Sequence, residues 1–316
     1  MVRRILSETS PFVQLLFLLF LSLLTFLIIT FSGTLLAVPL FHIKLSQINE
    51  LAGHLDEPAT VGILKYLQFL QSLSLFLIPS LLFLFLTRDR WSRFIGLSST
   101  GGWVAMTLVI LIMIFLIPVN NVLAGWNSKL HLPQSLSGLE DMMRRMEDNA
   151  AQLTQAFLKM NSFGAFLINL AIVAVLPALS EELMFRGAIQ PIFIKWTRNV
   201  HAGILITAFL FSFFHFQFFG LIPRWVLGVI FGYLFYWSKT IWLPVLAHFI
   251  NNGLAVTVYY IYGSQVVEQK VDTIGTADDW SLAVVGFVLV GTLLYLLRRE
   301  LDEQKKRRTD RFFYKD

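Results

Sequence analysis

Long stretches without a charged side chain set the strongest constraint on this chain. The first runs from residue 12 to residue 40, and others recur as far as residue 297. A helix needs about 17 to 25 apolar residues to cross ~30 Å of hydrocarbon, and an apolar run without alternation satisfies its backbone hydrogen bonds in lipid only as a helix. The runs predict an all-α, polytopic membrane protein with about eight transmembrane helices, at residues 12–40, 66–87, 101–124, 163–185, 201–219, 225–237, 241–262 and 280–297.

Composition supports the same fold class. The chain is 56% hydrophobic and 14% charged, whereas a soluble domain carries about 25% charged residues. We therefore expect a single integral-membrane domain over residues 1–316, with membrane lipid as its surroundings. The absence of cysteine excludes disulfides, thiolate metal sites and cysteine nucleophiles.

The distribution of basic residues predicts the orientation. Lysine and arginine cluster before the first run and after every second one, which the positive-inside rule places in the cytoplasm. Both termini are therefore expected to be cytoplasmic, in a cell inner membrane. The basic tail, residues 298–316, is interpreted as an anchor against anionic lipid rather than as a nucleic-acid site, so no nucleic-acid partner is expected. The residues concerned are Arg3, Arg4, Arg88, Arg90, Arg93, Lys195, Arg198, Lys239 and the tail.

Two segments between the apolar runs have local patterns of their own. Apolar residues recur near helical spacing from 136 to 160 with charges between them, which predicts an amphipathic helix on the outer surface, interpreted as an interfacial helix in preference to a lid. After the fourth run, Pro191 predicts a break, with the following residues along the cytoplasmic interface.

Three charges interrupt the fourth run immediately after the uncharged residues 163–180. Glu181, Glu182 and Arg186 would each cost roughly 2.5 to 3.5 kcal/mol at the centre of a membrane helix unless they line a cavity or serve chemistry. Glu182 and Arg186, four residues apart, share a helix face and are expected to pair. Glu181 points elsewhere, and a poorly solvated carboxylate without a cation is suited to act as a general base.

Polar groups also interrupt two later runs. His215 follows Phe211 by one turn, and His248 precedes Asn252 by one turn. Either histidine alone is equally compatible with an interhelical hydrogen bond. Together with the three charges of the fourth run they predict one shared site, in which two imidazoles and a carboxylate hold a water and Asn252 supplies a neutral donor to an oxyanion.

These residues resemble a known family. EELMFR, FSFFH and HFINN are similar to the Glu-Glu-x-x-x-Arg, Phe-x-x-x-His and His-x-x-x-Asn motifs of the CPBP intramembrane proteases, which include the CAAX prenyl endopeptidases and the bacteriocin-processing Abi enzymes. The motifs occur in the family's order within residues 161–253, the predicted catalytic core. The resemblance implies peptide-bond hydrolysis in a membrane cavity open to the cytoplasm, on a peptide or protein substrate that is lipid-modified or membrane-anchored.

Residue roles follow from the same resemblance. Glu181 and His215 would activate water, His248 and Asn252 would face the tetrahedral oxyanion, and Glu182 with Arg186 would support the site. Glu181, His215 and His248 could also ligate catalytic Zn²⁺, while the same atoms suffice for a metal-free glutamate mechanism. Both readings of the cofactor stay open.

Two other classes of function compete with a protease. An ion-coupled transporter also concentrates acidic, basic and histidine side chains in its spans. It predicts inverted repeats and interrupted helices in both halves of the chain, and the sequence shows intramembrane charge in only one region. A catalytically silent membrane scaffold or bacteriocin-immunity protein of the same fold is the third class. Its distinguishing mark would be a degraded motif, and the three motifs are intact.

Overall fold

The computed structural model describes residues 8–88, 90–266, 273–276 and 280–313. Within these ranges the chain is all-helical. Arg3, Arg4 and residues 314–316 of the predicted tail lie outside the described residues. The main helices are α1 (Pro11–Phe41), α2 (Pro58–Thr87), α3 (Trp103–Ser128), α4 (Ser137–Leu158), α5 (Phe163–Thr197), α6 (Val200–Phe213), α7 (Leu221–Ser238), α8 (Trp242–Val266) and α9 (Trp280–Phe313).

Six helices in the described residues are long and apolar enough to cross a membrane, which confirms a polytopic helical membrane protein. Two more helices correspond to the remaining two of the eight predicted runs. One of them, α6, has only 14 residues, and the other, α8, interrupts its apolar sequence with His248, Asn251 and Asn252. The six are α1, α2, α3, α5, residues Phe218–Ser238 and residues Trp280–Arg307.

The predicted break at Pro191 is wrong, because α5 continues through it to Thr197. A π-helical segment, Leu183–Ile189, ends two residues before this proline. The same arrangement recurs before Pro177 and Pro79, after π segments Leu170–Val175 and Ser72–Leu77. A proline removes one backbone donor and its ring crowds the carbonyl four residues earlier, and the wider π turn is one of the recognised local adjustments that bend a helix without ending it.

The fifth run is also shorter than predicted. We expected helix as far as residue 219, but α6 ends at Phe213 and His215 lies in the turn that follows. Phe216 takes a left-handed backbone conformation with φ of 52°, which a continuing helix does not allow. The hydroxyl of Ser212 donates to the Leu221 carbonyl at 2.6 Å and joins the two ends of the turn.

Small residues let α7 approach its neighbours closely. A Cβ atom on Gly228 would lie 3.1 Å from Cα of Ala208 on α6. One on Gly232 would lie 2.7 Å from a methyl carbon of Ile204 on the same helix. This spacing of small residues is the usual device for close helix contact in membranes, where lipid offers no hydrophobic force between helices.

The basic residues gather at one end of the bundle. The Lys195 ammonium donates to the Thr9 carbonyl at 3.0 Å, which joins the end of α5 to the start of α1. The Thr240 hydroxyl donates to the Gly96 carbonyl at 3.0 Å, which joins the α7–α8 turn to the α2–α3 loop. We call this the basic end, and its described basic residues are Arg88, Arg90, Arg93, Lys195, Arg198 and Lys239. Helix α4 follows the far end of α3, opposite the basic end.

The natural absence of cysteine allows a direct test of orientation. Ser98 is exposed at the basic end and Ser137 is exposed at the start of α4. We expect a membrane-impermeant maleimide to label Ser137→Cys in intact cells and Ser98→Cys only after permeabilisation, because the basic end is predicted to be cytoplasmic. The reverse pattern would overturn the predicted orientation, and the unsubstituted protein is the matched unlabelled control.

Candidate active site

A cavity of about 390 Å³ lies on the α4 side of the bundle. Four of the six predicted site residues line it: Glu181, His215, His248 and Asn252. The other two, Glu182 and Arg186, are fully buried behind its wall. The structure therefore brings the motifs of α5, the α6–α7 turn and α8 together, and it divides the adjacent glutamates between cavity and interior.

Glu181 and His215 face each other in the cavity. Nε2 of His215 lies 4.0 Å from Oε2 of Glu181, and this buried carboxylate oxygen has no hydrogen-bond partner. Nδ1 of His215 lies 2.7 Å from the Phe211 carbonyl, which can only accept, so Nδ1 carries the proton. In the neutral imidazole Nε2 is then an acceptor facing Glu181. Phe211 thus contributes its backbone, one turn before His215, to fix the tautomer.

The turn that carries His215 is held from three sides. The Asn127 side chain at the end of α3 donates to the Phe218 carbonyl at 3.1 Å and accepts from the Ile222 backbone N–H at 2.7 Å. The Glu147 carboxylate on α4 accepts from the Phe219 N–H at 3.2 Å. Arg224 on α7 makes two further hydrogen bonds to Gln217. These contacts give a non-helical segment a fixed position at the cavity.

Glu182 and Arg186 form the predicted pair, and their contacts extend to two more helices. Nη1 of Arg186 lies 3.0 Å from Oε1 of Glu182, and both side chains are fully buried. The same carboxylate oxygen accepts from Nδ1 of His248 at 2.9 Å. Nη2 of Arg186 donates to the Gly228 carbonyl on α7 at 2.9 Å. A single buried ion pair therefore joins α5, α7 and α8.

Aromatic rings surround this pair. The Arg186 guanidinium lies over the Phe211 ring at 4.7 Å and the Phe231 ring at 5.3 Å. His248 stacks on Phe231 with ring centroids 5.3 Å apart and meets Phe211 edge-on. Cation–π contacts of this kind stabilise a desolvated cation. The rings also hold the His248 imidazole so that its second nitrogen, Nε2, is left for the cavity.

Sequence reasoning missed Gln190, which repeats the arrangement of Arg186 one turn later. Its side-chain amide donates to the Gly232 carbonyl at 3.1 Å, as Arg186 does to Gly228. The sequence contains a signal for this arrangement: Arg186 and Gln190 are four residues apart, and so are Gly228 and Gly232.

The side chain of Asn252 joins α8 to α5. Its amide nitrogen donates to the Val173 carbonyl at 3.1 Å, and its oxygen accepts from the Asn251 amide at 3.0 Å. In an α-helix the Val173 carbonyl would accept from residue 177, which is a proline and has no N–H. Asn252 thus satisfies a carbonyl freed by Pro177, and one of its two N–H groups is left for the cavity.

Helix α4 closes the cavity instead of lying apart from it. Leu153, Thr154, Phe157 and Leu158 line the wall, a contact that an interfacial helix does not predict. At its other end, Glu140 accepts hydrogen bonds from Arg144, the Leu132 backbone and His131. These bonds, that of Arg144 first, lower the pKa of Glu140 to about 2, so the Glu140 carboxylate is ionised at neutral pH and keeps these contacts.

Two cations inside the spans also escaped sequence reasoning. Arg224 lies in the segment Phe218–Ser238 and Lys65 in Pro58–Thr87, because both spans begin earlier than the hydropathy pattern indicated. Arg224 lines the cavity with the predicted residues. A single charge within an apolar run is the signal that would have found them. Intramembrane charge is therefore not confined to the motif region.

Glu181, His215 and His248 are of the residue types that hold a catalytic zinc. In the described part of the chain, no three histidine or carboxylate side chains are grouped to hold a metal ion. Glu182 engages Nδ1 of His248, which leaves Nε2 as the nitrogen that could bind a metal, and Glu181 stands 4.0 Å from His215. The donor types and the contact between His248 and Glu182 therefore fit zinc, whereas the three side chains are not drawn together around one point.

Comparison with known proteins identifies the motif region. Residues 163–254 match the family model described as "Type II CAAX prenyl endopeptidase Rce1-like". Searches of curated proteins and of solved structures found no match. The matched segment begins with α5 and ends in α8, so it contains all six predicted site residues.

The buried pair generates a prediction about stability. Arg186→Met leaves the Glu182 carboxylate buried without its cation, so we expect a loss of about 3 to 5 kcal/mol in the free energy of unfolding. Arg299→Met is the matched control, because it breaks an exposed pair with Glu303 at the same spacing, for which about 0 to 1 kcal/mol is expected. Unfolding in detergent measures both. Equal losses in the two variants would contradict the supporting role.

Proposed function

We propose that this chain is an intramembrane endopeptidase whose general base is Glu181, because residues 163–254 match the Rce1-like family of CAAX endopeptidases, a match that supports a CPBP-type intramembrane protease. The family match supports a CAAX-protease-like enzyme and a membrane-associated peptide substrate at the level of the family. The observation that carries the residue assignment is the unpartnered Oε2 of Glu181, which faces the acceptor nitrogen of His215 in a cavity.

The proposed reaction begins with a water molecule bound between Glu181 and His215. Glu181 takes a proton from the water while the oxygen attacks the scissile carbonyl carbon, which gives a tetrahedral oxyanion. The proton then passes from Glu181 to the departing amine as the C–N bond breaks. The products are a carboxylic acid and an amine, so the atoms balance without a covalent enzyme intermediate.

His248 and Asn252 are proposed to stabilise the oxyanion. Glu182 accepts from Nδ1 of His248, which leaves Nε2 for the cavity, where it donates to the oxyanion when it carries a proton. Asn252 has one N–H beyond the bond it makes to Val173. Donors already held in place cost little reorganisation during the reaction, which is why such groups contribute strongly to catalysis.

The position of the cavity in the bundle indicates from which side of the membrane the substrate enters. Every α5 residue that lines it precedes Glu182, and residues 182–190 are all buried, so the site is closed towards the basic end. If the basic end is cytoplasmic, as the positive-inside rule predicts, the cavity lies on the outer side of the buried pair. The resemblance to CAAX enzymes implies the opposite side. We propose the outer side, and the labelling of Ser137→Cys distinguishes the two.

Removing the base tests the proposed function. We expect Glu181→Gln to lower cleavage of a membrane-anchored peptide by about 10²- to 10⁴-fold or more, because the amide cannot accept the proton, with thermal stability unchanged. Comparing protein termini in cells that express the wild-type or the Glu181→Gln protein identifies the substrate, and purified proteins confirm the cleavage. Glu303→Gln, on the exposed part of α9, is the control. Undiminished turnover by Glu181→Gln would reject this base, and no cleavage by the wild type would favour a silent scaffold or a transporter.

Metal removal separates the two cofactor readings. We expect purified protein to retain its cleavage rate after chelator treatment, with less than one metal ion per chain by elemental analysis, because Glu181 and His215 suffice to activate water. Loss of activity on chelation and its return on adding Zn²⁺ would reject the metal-free mechanism while leaving the endopeptidase assignment in place.

A further inference from the structure

Arg224 is a cavity residue that none of the three motifs contains. It lies in the first turn of α7, next to the turn that carries His215. Among the described residues that line the cavity, Arg224 and Glu181 are the only ones that carry a formal charge when the two histidines are neutral. The wall of the candidate site therefore presents one fixed cation, which is close enough to His215 to act on it electrostatically.

The guanidinium is oriented by neutral partners only. Nη1 donates to the Gln217 carbonyl at 2.9 Å and Nη2 to the Gln217 side-chain oxygen at 2.6 Å. Gly220 makes room for it, since a Cβ atom there would lie 2.7 Å from Nη2. In the part of the chain that the structure describes, no carboxylate lies within ion-pair distance of Arg224, and Glu147 acts on it only from farther away.

An oriented cation without a carboxylate partner is costly in an apolar bundle. Burying an unpaired charge is far less favourable than burying a paired one. Arg186, a buried arginine with a structural role, contacts a carboxylate, a backbone carbonyl and two aromatic faces. Arg224 has no carboxylate in hydrogen-bond contact, only the more distant Glu147, and two of its five N–H donors are used.

We propose that Arg224 binds a carboxylate of the peptide substrate and so determines which peptide bond reaches Glu181. This inference rests on the proposed function of the site. A planar guanidinium matches a carboxylate through two parallel hydrogen bonds, and the donors that Gln217 leaves unused are available for them. A cavity of about 390 Å³ is at the small end of ligand pockets, so it suits a chain end of a few residues.

The carboxylate has two chemical sources, the C-terminus of the peptide or an Asp or Glu side chain. Three pools of membrane-anchored peptides with randomised final residues distinguish them. The first pool ends in a free carboxylate and contains no Asp or Glu. The second is the same pool with a C-terminal carboxamide, and the third has the carboxamide with Asp and Glu allowed. Mass spectrometry of the products gives relative kcat/KM for each pool.

We expect the kcat/KM of the wild-type protein for either the first or the third pool to exceed that for the second pool by about tenfold or more. The second pool has no carboxylate, so it loses a charge-assisted hydrogen bond to Arg224. Arg224→Gln should reduce this ratio to near one, mainly by raising KM for the carboxylate pool, and Arg224→Lys should retain part of it. A preference for the first pool assigns the C-terminus, and a preference for the third assigns an acidic side chain.

Gln217→Ala is the matched control for a merely structural role. It removes one partner of Arg224 but keeps the cation. If Arg224 only holds the His215 turn, then Arg224→Gln and Gln217→Ala will slow cleavage of all pools alike and leave the ratio unchanged, which would overturn the proposal. A wild-type protein that cleaves all pools equally would overturn it as well.

A binding measurement keeps this test independent of turnover. Labelled peptides from the first and second pools are titrated into Glu181→Gln protein in detergent, with and without Arg224→Gln. Binding that favours the carboxylate and depends on Arg224 supports the proposal even if the wild-type protein cleaves no pool, an outcome that would reject the proposed function alone. Equal affinity for the carboxylate and carboxamide pools would reject the role of Arg224.

Discussion

The buried ion pair of Glu182 and Arg186 is the interaction on which the site depends. It lies at 0% exposure, where each charge without the other would be strongly destabilising. Its remaining hydrogen bonds go to His248 and to the Gly228 carbonyl. The pair therefore fixes the relative positions of α5, α7 and α8, and it does so one residue away from the proposed base. A rigid support beside a cavity is the arrangement that a preorganised site requires.

The adjacent glutamates differ because a helix turns by about 100° per residue. Glu182 faces the packed interior with Arg186, and Glu181 faces the cavity with His215. Phe211 also acts on both sides of the cavity wall. Its ring covers Arg186, and its backbone carbonyl fixes the tautomer of His215. Each motif thus contributes at least one group to the cavity and at least one contact to its support.

Much of this arrangement follows from local sequence. Hydropathy predicts the helices because lipid leaves the backbone few alternatives, and four-residue spacing predicts the Glu182–Arg186 pair. The failures occur where a local defect is compensated, either within the same helix or by a contact from another helix. Pro191 does not end α5 because a π segment precedes it. Likewise the Val173 carbonyl, freed by Pro177, is satisfied by Asn252 from another helix. Arg224 was missed because its apolar run was predicted to begin at residue 225, whereas the span begins at Phe218.

The proposed mechanism requires that water reaches Glu181, whereas burial excludes water from its neighbour Glu182. Carboxyl footprinting measures this directly: a small water-soluble amidating reagent is applied to the folded protein in detergent, and fragmentation mass spectrometry resolves the two neighbouring residues. We expect modification of Glu181, none of Glu182, and full modification of the exposed Glu303 as the reference. Protection of both glutamates, or equal modification of both, would contradict this expectation.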